Sequence, residues 1–334
     1  MAACAPFHVS LVAVPGSLSS PITGLYELLT SFPMVASHYE GVPAASPFEV
    51  DIVGRARSTL TAPSGLPIAI QRSIGEVERS DIVIIPAMAV EAGETGRHPE
   101  LARWLRRMHE RGAVLCSACT GLALLAETGL IDGHRATTHW SFAPILQRAF
   151  PHIEMCLHEV LVTAGEREEF VMAGGAASWQ DLALYLVERF VGTTAARAIA
   201  RFELLERHAS GQSPYLPFSP RTGHGDAVVL EAQHWLRDNF AVANPVGAMT
   251  RMSGLSLRAF ERRFRKATGY SPIRYVQHAR IEEAKRRLEC GDASIDRISW
   301  EVGYEEAAAF RRLFKRIARI TPGAYRRRFA RPRA

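Results

Sequence analysis

Short apolar runs alternate with longer stretches of helical period along the first 205 residues of the chain. The runs His8-Val9-Ser10-Leu11-Val12-Ala13-Val14 and Asp81-Ile82-Val83-Ile84-Ile85 are β-branched and nearly all apolar. Strands buried on both faces have this pattern. Together with residues 48–53, 67–71, 113–117 and 169–172 they make six predicted strands. Helical patterns cover residues 24–31, 99–111, 120–128, 142–149, 179–190 and 193–206. Such alternation predicts an α/β domain, a mostly parallel sheet with helices on both faces. Residues 207–225 are rich in Gly, Ser and Pro and read as a linker. Beyond them the period is helical throughout. The predicted organisation is an α/β domain over 1–206, a linker over 207–225 and an all-α domain over 226–330.

The helical part repeats itself at an offset of fifty positions. Phe260 and Phe264 match Phe310 and Phe314, and Pro272 and Tyr275 match Pro322 and Tyr325. Each Phe pair is spaced i,i+4, so it covers one face of a helix. The opposite faces carry Arg258, Glu261, Arg262 and Arg265 in the first copy, and Ala308, Arg311, Arg312 and Lys315 in the second. Lys266 pairs with Arg316 in the repeat. A helix with an apolar back and an arginine-rich front suits a DNA major groove. Gly254 and Gly303 supply turns, Ser256 an N-cap, and Ser271-Pro272 and Thr321-Pro322 helix starts. A linking helix over 272–289 is expected to bury Ile273, Val276, Ile281, Ala284 and Leu288. The reading is two helix-turn-helix units.

Charge follows the same division. Residues 226–334 hold 23 Lys+Arg against 12 Asp+Glu, a net of +11, while the whole chain is +6, leaving −5 for residues 1–225. The cations are concentrated where phosphates would bind. No apolar run reaches the ~20 residues that span a bilayer. The start Met1-Ala2-Ala3-Cys4 lacks a cationic leader, and five cysteines do not read as a secreted disulfide framework. A cytoplasmic, nucleoid-associated protein is expected.

The stretch from about Ala227 to Phe329 resembles the AraC/XylS-type DNA-binding domain. The resemblance is carried by Gly254-Leu255-Ser256, Arg258, Arg262, Phe264, Gly269, Ser271-Pro272, Tyr275, Arg280, Ala284, Leu288, Ile298, Val302-Gly303-Tyr304, Phe310, Phe314-Lys315 and Thr321-Pro322. It departs at Ser253 and Ser299, where small apolar residues usually pack. The resemblance implies double-stranded DNA as partner, with the two recognition helices in successive major grooves.

In the first domain the sharpest motif is Val114-Leu115-Cys116-Ser117-Ala118-Cys119-Thr120-Gly121, a strand running straight into a helix. Cys119 stands at the turn, as in a nucleophile elbow, where helix-start amides lower a thiol pKa. Its thiol is expected to be more acidic than a free cysteine, more so with His139 in reach. It is also expected to alkylate ahead of Cys116 and Cys156. Cys116-x-x-Cys119 could be a redox pair or half a zinc site, but Cys116 lies inside the strand and no second cluster matches; packing is the reading kept, with no metal and no cofactor.

Cys119-Thr120-Gly121, Gly129-Leu130, Asp132-Gly133, Ala136-Thr137-Thr138-His139-Trp140, Asp181-Leu182-Ala183-Leu184 and Gly211-Gln212-Ser213-Pro214-Tyr215 resemble the PfpI-type, class I glutamine-amidotransferase-like fold. Enzymes of that fold place a carboxylate after the first strand and a Gly-Gly after the strand matching 82–85. Here the first loop, Pro15 to Gly24, has no acid, and the second reads Pro86-Ala87-Met88. The expectation is therefore no catalytic residue. Cys119, Thr120, His139 and Trp140 are expected to line a pocket for a small-molecule effector in a homodimeric transcription regulator, with RNA polymerase as a further partner. The rivals are a thiol-dependent amidase or hydratase tethered to DNA, and a purely architectural DNA binder.

Overall fold

The computed structural model describes residues 5–89 and 98–330. Residues Met1 to Cys4, used above in reading the chain's start, lie outside them. The chain divides into two compact units, one ending at Gln212 and the other beginning at Ser213.

Among the described residues the first unit has eleven strands. They are β1 (Phe7–Val12), β2 (Phe48–Gly54), β3 (Thr59–Thr61), β4 (Pro67–Ala69), β5 (Arg72–Ser73), β6 (Ile82–Ile85), β7 (Val114–Ala118), β8 (Arg135–Ala136), β9 (Glu154–Met155), β10 (Leu161–Ala164) and β11 (Phe170–Ala173). Seven of them form one sheet in the order β10-β11-β7-β6-β1-β2-β5. All neighbours are parallel except β10, which runs antiparallel to β11. The strongest apolar runs hold the middle, and β6, β7 and β11 are buried at every position.

Period-2 alternation feeds two separate cores. Val9, Leu11, Ile84, Cys116 and Val171 face one side, while Val12, Val83, Ile85, Leu115 and Met172 face the other. Helices α1 (Ser19–Thr30), α2 (Phe32–Ala36), α6 (Trp179–Phe190) and α7 (Thr193–Phe202) cover the first side. Helices α3 (Pro99–Glu110) and α4 (Leu122–Ala126) cover the second, and α5 (Ala143–Ala149) adds Leu146 to it. Helix α1 begins five residues before the expected 24–31. Strands β3, β5, β8, β9 and β10 are too short or too polar to register as apolar runs.

The composition-defined linker is held at both ends. His208 binds Asp181 of α6 through its backbone N–H (2.9 Å) and Nδ1 (2.8 Å). Gln212 is buried and donates from Nε2 to the carbonyls of Thr138 (3.0 Å) and Glu159 (3.2 Å). Further on, Phe218 packs against Tyr270, Tyr275 and His278 of the second unit, and Leu216 accepts a hydrogen bond from Lys285 Nζ (2.7 Å).

Among its described residues the second unit contains seven α-helices: α8 (Ala227–Asn239), α9 (Pro245–Met252), α10 (Leu257–Thr268), α11 (Pro272–Cys290), α12 (Ile295–Glu301), α13 (Ala307–Ala318) and α14 (Pro322–Phe329). The pairs α9–α10 and α12–α13 are the two copies, and α11 serves both. Its Tyr275 and Val276 enter the core of the first copy; its Ile281, Ala284 and Leu288 enter that of the second. Ile273, expected in this core, is 53% exposed. The buried stripe runs through Tyr275, Val276, Arg280, Ile281, Ala284 and Leu288; Ile273 shares its arc, seven residues before Arg280 and eleven before Ala284, but stands in the first turn of the helix.

The caps follow the local sequence, with one exception. Ser256 accepts from Ala259 N and Thr321 from Ala324 N, while Gly254 and Gly269 adopt the left-handed φ of +64° and +81°. Ser271 makes no side-chain cap bond; its preceding turn is closed instead by Thr268, whose hydroxyl accepts from Tyr270 N.

Candidate functional sites

The recognition faces come from the sequence period and a buried back. Phe260 and Phe264 of α10 and Phe310 and Phe314 of α13 are fully buried. This turns Arg258, Glu261, Arg262, Arg265 and Lys266 outward on α10, and Ala308, Arg311, Arg312 and Lys315 outward on α13; all are exposed. Arg311 is the exception to an unengaged front. Its Nη2 lies 2.5 Å from Asp296 of α12, so it must exchange a carboxylate for any external acceptor. Arg263 is likewise held by Asp226 at 2.6 Å and serves the fold rather than the face.

Not all the positive charge faces outward. Arg280, at 8% exposure, donates from Nε to Phe240 O (2.7 Å), from Nη1 to Gly303 O (2.8 Å) and from Nη2 to Val242 O (2.8 Å). It also lies over the Tyr304 ring at 5.1 Å. One guanidinium thereby closes the turn of the second copy onto the segment that follows α8, using the fork geometry that lysine lacks. Gly303 is required beside it: a Cβ there would lie 2.6 Å from Ala241 O and 2.9 Å from Arg280 Cζ. The sequence contained Arg280 within the family pattern without revealing its role.

At the elbow, Cys119 takes a φ of +56°, a conformation that costs a non-glycine residue energy. The turn is tight because Gly121 presses on the end of β6, where a Cβ would meet Ile85 O at 2.1 Å. Thr120 Oγ1 donates to Met88 O (2.5 Å) and accepts from Met88 N (3.0 Å). Thr138 Oγ1 donates to Cys119 O (2.8 Å). The sequence reading left out Thr138 and Gln212 as parts of this site; both lay inside the family pattern, but their contacts are long-range.

The expectation of an acidic Cys119 is overturned. Only 4% of the residue is exposed, and burial pushes the thiol pKa up. The Thr120 amide and hydroxyl and the His139 amide oppose that shift without cancelling it. The imidazole adds no help. Its Nδ1 lies 2.7 Å from Ser141 Oγ and 3.2 Å from Ser141 N, and burial lowers the His139 pKa. The His139 ring packs, tilted, at 5.2 Å from that of Trp140, both half-buried. Cys116 sits in the opposite core with its pKa also raised by burial.

The loop after β6 also withholds its donors. Met88 N is taken by Thr120, and Ala89 N donates to Gly16 O (2.9 Å). An acyl-transfer site needs such amides free and aimed at the developing oxyanion. No carboxylate acts on Cys119 among the described residues.

Accessibility sets the order of alkylation. Among the four described cysteines, Cys290 is exposed, Cys156 half-buried, and Cys116 and Cys119 buried. Iodoacetamide followed by peptide mass spectrometry should therefore label Cys290 first and Cys156 next, with Cys119 slower. Labelling of Cys119 ahead of Cys290 would restore an activated thiol.

Comparison with known proteins agrees with this division. Residues 249–328 match the helix-turn-helix domain family and residues 36–193 match the DJ-1/PfpI family. The chain thus joins a segment that matches the DJ-1/PfpI family to one that matches the helix-turn-helix domain family. The HTH-type transcriptional regulator GlxA of Rhizobium meliloti (strain 1021) is 29% identical over 230 residues, covering 67% of this chain and 68% of its own length. The isonitrile hydratase of Pseudomonas putida is 25% identical over 228 residues, covering 68% of this chain and 88% of its own. The crystal structure of a ThiJ/PfpI family protein from Pseudomonas syringae superposes with a TM-score of 0.50 at 17% identity, over 75% of this chain and 91% of that one. No helix among the described residues is long and apolar enough to cross a membrane.

Proposed function

We propose that the protein is a sequence-specific DNA-binding transcription regulator whose first unit senses a small molecule without turning it over. The observation that carries this reading is the pair of matched helices, α10 and α13, each with a fully buried Phe back and an exposed cationic front. Arg258, Arg262, Arg311 and Arg312 are the candidates for base edges, with Glu261 and Ala308 beside them. Arg265, Lys266 and Lys315 are the candidates for phosphates. Cys119, Thr120, His139 and Trp140 are assigned to effector sensing, with His139 and Trp140 the accessible members. The occupied amides at Met88 and Ala89 and the unhelped thiol argue against turnover. Hydration of an isonitrile, abolished by Cys119→Ser, would reverse that assignment in favour of an enzyme.

The DNA assignment predicts two distinct losses. Arg262→Ala should weaken the specific site by about 1–3 kcal/mol and relax preference at one or two base pairs. Lys266→Ala should weaken all sequences alike and reduce the slope of log K against log salt by about one. Fluorescence anisotropy on operator and scrambled duplexes separates the two. An equal loss on both duplexes for Arg262→Ala would refute base reading.

Paired half-sites call for two copies of the reader. The protein is therefore expected to be a homodimer assembled through residues 1–205, able to recruit RNA polymerase from the bound operator. Sedimentation velocity of the full chain at tens of micromolar should give a single dimeric species; a monomer would remove the paired-site reading.

A further inference from the structure

The first unit contains a cavity of about 540 Å³ that neither Cys119 nor His139 lines. It opens at the carboxyl ends of β1 and β2, where Ala13-Val14-Pro15 continue one strand and Arg55-Ala56 follow the other. Crevices at this end of an open parallel sheet are where such folds hold ligands, and the volume lies in the range of small-molecule sites. Val14, Leu60, Ile70 and Leu101 make it apolar. Leu60 belongs to β3, too short in the sequence to have been read as a strand, and Ile70 follows its partner β4, which falls within the expected strand over 67–71.

The polar groups are as informative as the walls. Arg55 and Glu100 both line the cavity; Arg55 Nε lies 2.8 Å from Glu100 Oε2, and the two side chains are 77% and 45% exposed. An ion pair this exposed contributes little to the fold, so it opens at small cost. A ligand with one charge would satisfy one partner and set a like charge against the other. Adjacent opposite charges on the ligand satisfy both.

We propose that this cavity binds a small zwitterion with an apolar side chain, the chemistry of an α-amino acid such as leucine. The carboxylate takes Arg55, where the guanidinium fork can engage both oxygens. The ammonium takes Glu100, and the side chain enters the space bounded by Val14, Leu60, Ile70 and Leu101. This proposal rests on the sensing role of the first unit and moves the effector's main contacts from the elbow to the edge of the sheet near β2.

Isothermal titration calorimetry of the full chain tests it with three probes of matched body: L-leucine, 4-methylpentanoate and 3-methylbutylamine. L-leucine should bind at least tenfold more tightly than either singly charged probe. L-norleucine should bind about fourfold more tightly than L-norvaline, the effect of one buried methylene. Arg55→Gln, on an exposed side chain, should weaken L-leucine at least tenfold, and Leu60→Trp should occlude the cavity. Equal affinity for the three probes, no binding of L-leucine, or binding indifferent to both cavity variants overturns the proposal. DNA affinity of the same variants without ligand, read in parallel, reports the regulator reading separately. Retained operator binding with failed L-leucine binding rejects this site alone, whereas binding by the cavity with no operator selectivity rejects the regulator.

Discussion

Arg280→Ala should unfold the second unit long before the first, at a cost of about 3–5 kcal/mol from the loss of three hydrogen bonds to a charged group. The side chain is buried, and its three donors satisfy three carbonyls, those of Phe240, Val242 and Gly303. Alanine leaves those acceptors without the cation and opens a space beside Tyr304. Hydrogen bonds to a charged group each contribute about 1.5–3 kcal/mol, and domains of this size have only about 5–15 kcal/mol in total. Arg280→Lys should recover only part of the loss, because an ammonium cannot span three diverging carbonyls. Native-state hydrogen exchange localises the effect: amides of α9 to α14 should lose protection while those of β1, β6 and β7 keep theirs. Unchanged protection in α12 would show that the clamp adds nothing to the turn.

Gly121→Ala should be nearly as damaging to the first unit. The added Cβ would meet Ile85 O at 2.1 Å and Pro86 O at 2.8 Å, both backbone atoms at the end of a central strand. Neither can rotate away, so β6 or the elbow must move. Overpacking of this kind costs about 1–3 kcal/mol and more when the neighbour is rigid. Gly75→Ala is the matched control, since its Cβ would meet only Ser73 Oγ, at 3.8 Å. Thermal unfolding should drop sharply for Gly121→Ala and stay in place for Gly75→Ala. Equal midpoints would mean that the elbow is looser than its contacts imply.

Both residues lay inside motifs visible in the chain, yet their importance did not. The central strands were legible because β6 and β7 are buried on both faces, which forces unbroken apolar runs. The repeat was legible because each recognition helix needs the same Phe pair behind the same cationic front. β3 escaped detection because a three-residue strand carries too few alternations to register, and with it went Leu60 from one wall of the 540 Å³ cavity. Ile273 misled for a related reason. It lies on the arc of the buried stripe but in the first turn of α11, and the period alone does not show where along a helix the burial begins.

The sequence by itself determined the two-part organisation, the segregation of charge and which faces of α10 and α13 are cationic and exposed. These depend on local period and composition, which survive without knowledge of distant neighbours. Only the tertiary structure decided the chemistry of individual groups. Arg262 and Arg280 are the same residue type eighteen positions apart, but one faces outward while three carbonyls from remote loops surround the other. Cys119 occupies the position of a reactive thiol, and its helix-start amides do act on it. Burial outweighs them, because taking a thiolate out of water costs more than two amides and a hydroxyl return. Desolvation is a sum over everything packed around an atom, and no local stretch of sequence contains that sum.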